Sequence, residues 1–205
     1  MFNRPEPIHV LPEDYREVRY LRLTEPQLLL WLNVLSFVLL VPFFFFMVWW
    51  TGLVQDIRGA QTSGEILWWV GWFGVLLVFP LHEWLHGVAI RWMGHRPRYG
   101  MKTFTVLIVK VPYVLFATAD NALFRRGEFV VIALAPVMVI TLVGMGVMLI
   151  APYSLHTFIA IAVILNGGGA IGDLWMTLVV LRHPSDSLVR DEEDSLRIYE
   201  RYAAS

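Results

Sequence analysis

Four long apolar runs set the pattern along the chain: Gln27 to Trp50, Ile66 to Ala89, Phe129 to Tyr153 and Thr157 to Leu181. Each meets the roughly 20 mostly apolar residues that a helix needs to cross a bilayer. A chain of 205 residues suits one domain, neither half looks like a separate module, and the chain reads as a single domain over residues 1–205. The pattern predicts an all-α membrane protein with about four transmembrane helices. A polar N-terminal segment, 1–26, and a polar tail, 183–205, flank the bundle. The tail reads as a solvated extension with some helix, and its acidic run Asp191 to Asp194 as a wet face.

Residues 103–119 (TFTVLIVKVPYVLFATA) break the pattern. They are apolar but short, contain Lys110 and Pro112, and are rich in β-branched side chains, which favour strands. A short β-hairpin or re-entrant segment fits them, and so does a loop lying on the membrane surface; a fifth span does not, because it would invert everything downstream.

Charge then orients the bundle. Arg4, Arg16, Arg19 and Arg22 precede the first run, whereas only Arg58 lies between the first and second. Arg91, Arg96, Arg98, Lys102, Arg125 and Arg126 lie between the second and third; no Lys or Arg lies between the third and fourth; Arg182, Arg190, Arg197 and Arg201 follow. By the positive-inside rule both termini are cytoplasmic. Trp49, Trp50, Trp68, Trp69 and Trp72 cluster where an aromatic belt would stand at the opposite face.

Composition agrees: 57% of residues are hydrophobic and 16% charged, against about 25% charged in soluble domains. A net charge of −1 gives no electrostatic ground for a nucleic-acid partner, and with no cysteine there is no disulfide, thiolate ligand or thiol nucleophile. The N-terminus lacks the short apolar core of a cleavable signal peptide. The partner that the composition implies is the lipid bilayer.

Against this background PLHEWLHG, residues 80–87, stands out. It brings His82, Glu83 and His86 into an apolar run, where each ionisable group costs roughly 2.5–3.5 kcal/mol near the middle of a span. The spacing is H-E-x-x-H. On a helix it sets two imidazoles one turn apart on one face, toward one metal ion, with the glutamate beside the ion's open position. Glu83 is the expected catalytic base, taking a proton from zinc-bound water as that water attacks a peptide carbonyl. Neutral histidines hydrogen-bonded to neighbouring helices are the ordinary alternative.

A catalytic zinc needs a third protein ligand. The position of the metzincin third histidine holds Trp92, and His95 lies in the basic loop. The remaining acid within a span is Asp173, in NGGGAIGDLWM (Asn166 to Met176). Residues 66 to 82 and 157 to 173 span equal lengths, so His82 and Asp173 both lie ~24 Å from the outer face. One Zn2+ held by His82, His86 and Asp173 is the expected cofactor. Gly167, Gly168, Gly169 and Gly172 suit close helix packing or a helix break. Asn166 is a candidate for orienting the attacking water or a substrate carbonyl, or for an interhelical hydrogen bond. Pro80 and Pro136 are expected to kink their helices, with neighbours satisfying the freed carbonyls, and neither is assigned a chemical role.

An H-E-x-x-H in one membrane helix with an aspartate in a later one resembles the site-2 class of intramembrane zinc proteases. The chain resembles still more closely a family of small bacterial membrane proteins described as zincin peptidases. That likeness is carried by LPEDYREVRYLRLTEPQLLLWLNVLSF, HEWLHG, ALAP (Ala133 to Pro136), NGGGAIGDLWM and HPSDSLVRDEED. It implies a multi-pass protein of the bacterial cell membrane in which His82, His86 and Asp173 bind zinc and Glu83 is the base. The substrate would be a peptide bond of a membrane protein or peptide, cut near the cytoplasmic face, with 103–119 in the place of a substrate-holding β element. One departure stands: the site-2 pattern has Asp-Gly, and here Asp173 is followed by Leu174. The same ligands would also serve a metal transporter or chaperone, or an inactive scaffold.

Overall fold

The computed structural model describes residues 7–59, 68–106, 109–192 and 195–202, and the side chains of 101–115 and Trp68 are outside that description. Arg4, the start of the second apolar run at Ile66, and Glu193 and Asp194 of the acidic run therefore lie outside the described residues. The apolar runs form helices α1 (Pro26–Arg58), α2 (Trp68–Trp92), α3 (Arg126–Met148), α4 (Tyr153–Gly169) and α5 (Ile171–Leu181). Helix α1 opens on a proline, whose fixed φ suits a first turn that needs no N–H. Helices α1, α2 and α3 are each long and apolar enough to cross a membrane. The pair α4 and α5, bent by 42° at a short break, makes a fourth if taken as one span. The fourth run is thus two helices, divided at Ala170 after the glycine run, where the sequence allowed a helix break.

The expectation of an all-α chain is corrected by six strands among the described residues: β1 (Tyr15–Arg22), β2 (Arg98–Val106), β3 (Val109–Thr118), β4 (Phe124–Arg125), β5 (Leu188–Glu192) and β6 (Ser195–Arg201). Strands β2 and β3 pair antiparallel with a register shift at Lys102/Thr103. Of the alternatives for 103–119, the hairpin is the one formed. The other four make an antiparallel sheet in the order β1-β6-β5-β4. The tail is therefore not a solvated helix. Leu188, Val189, Leu196 and Ile198 are buried, and a hairpin gives them a core that an isolated extension would lack.

The chain divides into two compact units, with boundaries inside α1, α2, α3 and α5. The first comprises Met1–Leu29, Glu83–Ala135 and Asp173–Ser205 and holds all six strands of the described residues. Ile90, Phe124, Phe129, Ile132, Val180, Val189, Leu196 and Ile198 form its core. Its edge strand β1 carries Arg16, Glu17, Arg19 and Arg22, and Arg197 of β6 bonds to Glu17 at 3.0 Å and to Glu192 at 3.3 Å. Charge of this kind blunts a sheet edge against pairing with other chains.

The second unit, Leu30–His82 and Pro136–Gly172, is helical. Its core is Met47, Val54, Met148 and Val163. A side chain at Gly167 would run into Phe43, and one at Gly168 into Leu40, so the glycines of α4 let it approach α1 closely. Ser36 Oγ donates to the Gly168 carbonyl at 2.8 Å, crossing the same contact. Arg58 donates to the carbonyls of Met148 and Ala151, at 3.1 and 2.5 Å, satisfying the C-terminal end of α3.

Candidate metal centre

His82 and His86 stand one turn apart on α2, as their spacing requires. Each ring is held through Nδ1. His82 Nδ1 bonds the Asn166 side-chain oxygen at 2.9 Å, and His86 Nδ1 bonds the Ile132 carbonyl at 2.9 Å. Both acceptors are oxygens, so in the neutral ring the proton belongs on Nδ1, and Nε2 is the nitrogen that would meet a metal. An oxygen acceptor behind a ligating histidine is what orients the ring and raises its basicity in metal sites.

Asp173 lies in the first turn of α5, where a helix N-terminus favours a carboxylate. Its Oδ2 is 3.5 Å from His86 Nε2, close to the roughly 3.3 Å expected between two ligands of a tetrahedral zinc at ~2.0 Å bonds. His82, His86 and Asp173 each offer a ligand atom, and these atoms all lie within 4.8 Å of one another. This group could hold a metal ion, and two imidazoles with one carboxylate suit zinc. The three residues singled out in the sequence are thus brought together, although 84 residues separate His82 from Asn166 and a longer stretch separates it from Asp173.

Glu83 lines a cavity of about 200 Å3 together with His86, Asp173, Thr118 and Asp191. Asn166 is buried, 3% exposed, and its Nδ2 has no hydrogen-bond partner among the described residues. A buried donor left open is costly unless something fills it. Of the glycines, Gly167 and Gly168 serve packing, whereas Gly169 and Gly172 have open space around them.

Asp191 belongs to the acidic run expected as a wet face, and the structure corrects that expectation. It is half-buried on β5 and faces the same cavity. Its main-chain carbonyl accepts from Thr118 Oγ1 at 2.7 Å, linking β5 to the end of β3. Burial pushes its carboxyl up to about 7; His86 opposes that rise, while the Asp173, Glu83 and Glu192 carboxylates add to it. The sequence signal for it is weak, because an acidic residue in a polar tail is ordinarily solvated.

Comparison with curated proteins and with solved structures finds no match. The family described as "Putative zincin peptidase" matches residues 75–188, a segment that holds both histidines, Glu83, Asn166 and Asp173. The match covers more than half of the chain, which therefore belongs to that family.

Proposed function

We propose that this chain is a membrane-embedded zinc metallopeptidase of the site-2-protease type, cutting a peptide bond of a membrane protein or peptide near the cytoplasmic face. The observation that carries the reading is the convergence of His82, His86 and Asp173, with Glu83 beside them on a cavity. Zinc held there would supply a Lewis acid that acidifies a water molecule and polarises the scissile carbonyl. Glu83 then accepts the proton of the attacking water and returns it to the departing amine. Asn166 steadies His82 through its oxygen and offers its open N–H group to a carbonyl of the substrate. Helices long and apolar enough to span a bilayer support a site within the cell membrane, and the distribution of Arg and Lys supports cytoplasmic termini.

The test is Glu83→Gln in purified, zinc-loaded protein, with a quenched-fluorescence library of random decapeptides as the probe. Wild type is expected to cleave part of the library, and the variant to keep its zinc while losing about 10²–10⁴-fold in rate. Cleavage by the variant at the wild-type rate would overturn the role of Glu83. A metal-loaded wild type that transports zinc into vesicles and cleaves nothing would favour the transport reading.

A further inference from the structure

The acceptor that holds His86 is a main-chain carbonyl inside a helix, and such groups are ordinarily taken. In α3 the carbonyl of Ile132 would accept from the N–H of the residue four positions on, and that residue is Pro136. Proline has no N–H, and its ring presses on the carbonyl of the residue four before it, turning that oxygen away from the helix. His86 Nδ1 lies 2.9 Å from this oxygen, and the contact is buried. We propose that Pro136 is a positioning residue of the metal centre: it frees the Ile132 carbonyl to accept the Nδ1 proton of His86 and so leaves Nε2 for the metal.

Three features argue for this over a plain kink. The donor that replaces the missing N–H is one of the H-E-x-x-H histidines. A buried carbonyl without its helical donor and a buried imidazole N–H are each costly alone, and here each satisfies the other. The constraint is also one of direction, because His86 meets a main-chain atom that no side-chain motion can withdraw. The other interior prolines, Pro42 in α1 and Pro80 in α2, supply controls in which a helix regains the same N–H elsewhere.

The zinc arm of the test rests on the metal-site reading above, and the spectroscopic arm does not. Pro136→Ala, Pro136→Ser and the control Pro42→Ala would be purified in detergent. Imidazole 15N resonances would be recorded on metal-free protein through an alkaline titration, up to the pH at which the His86 ring is neutral and its tautomer is defined, and zinc affinity would be measured by competition with a chelating dye. In wild type His86 is expected to be protonated at Nδ1. Both Pro136 variants restore an N–H that competes for Ile132, so the His86 resonances should move toward a mixture of tautomers. Zinc affinity should fall about 10–100-fold, as for other partners that stand behind a metal ligand. Pro42→Ala should change neither.

A wild-type His86 signature retained in both Pro136 variants would overturn the proposal, whatever their thermal stability. So would an equal shift in Pro42→Ala, which would mark a general effect of straightening a helix. If wild type binds no zinc while its His86 tautomer still depends on Pro136, the metal-site reading fails and the positioning of the ring stands. If one Pro136 variant does not fold, the other carries the measurement; if neither folds while Pro42→Ala does, the proline is structural and the proposal is withdrawn.

Discussion

Each compact unit, taken by itself, anchors a histidine ring of α2, and the two rings are held by different means. In the helical unit, His82 leans on a side chain, the amide of Asn166. In the strand-bearing unit, His86 leans on a main-chain oxygen and faces Asp173. An amide can be mutated away or can rotate; a carbonyl fixed in a helix cannot. The difference shows two routes by which an apolar interior orients a polar ring. One requires a single buried polar residue with its own cost, and the other reuses a backbone group that the helix has been made to give up.

That contrast can be broken most severely at the packing that supports Asn166. Gly168→Leu would place a side chain into Leu40, and overpacking of this kind in the helical unit should cost about 1–3 kcal/mol, read as a fall in Tm. Wild-type stability in this variant would show that the close approach of α4 to α1 is not needed. Next comes the partner itself. Asn166→Ala removes the oxygen behind His82 and should weaken zinc binding about 10–100-fold, whereas Ile132→Ala keeps the carbonyl behind His86 and should weaken it only a few-fold, with competition against a chelator as the readout. Equal losses in the two variants would erase the distinction between side-chain and main-chain support.

A smaller effect lies at Asp191, and its sign follows from the direction of the shift. In the folded chain its carboxyl is raised to about 7 from the usual 3.8, so folding is opposed once the unfolded chain can ionise there. The penalty is absent near pH 4, grows as pH rises and is complete above about 7. Metal-free Asp191→Asn should therefore melt several degrees above wild type at pH 8, with the gap closing toward pH 4. A gap that widens on acidification would mean that the carboxylate is stabilised in the fold. The smallest effect is expected at the sheet edge. Arg197→Ala removes two partly exposed ion pairs and should cost ~1 kcal/mol or less, screened further by salt.

Much of this arrangement could be read in the residues before any coordinates. Apolar runs of span length located the helices, and the i, i+4 spacing of His82 and His86 needed only a helix to become a pair on one face. Asp173 was legible because acids are rare in apolar runs and its depth matched that of His82. The β-branched run 103–119 contained its hairpin in the same sense. Strands β1, β5 and β6 were hidden because their alternation is short, is mixed with Arg and Glu, and gains a core only when the two ends of the chain meet. Tyr15 pairs with Arg201 across nearly the whole sequence. Asp191 was hidden with them, since only the sheet turns it toward the cavity. The Ile132 carbonyl was beyond any side-chain pattern, although Pro136 four residues on was its trace.

The central claim is a three-ligand metal site, and its most direct measurement is zinc content per chain in detergent-purified protein. Wild type would be compared with His82→Ala, His86→Ala and Asp173→Ala, each checked for folding by its thermal transition. About one zinc per chain in wild type, lost from each folded variant, is the predicted result. Zinc retained in full by folded Asp173→Ala would remove that residue from the site. Folded wild type that takes up no zinc when the metal is supplied would contradict the account.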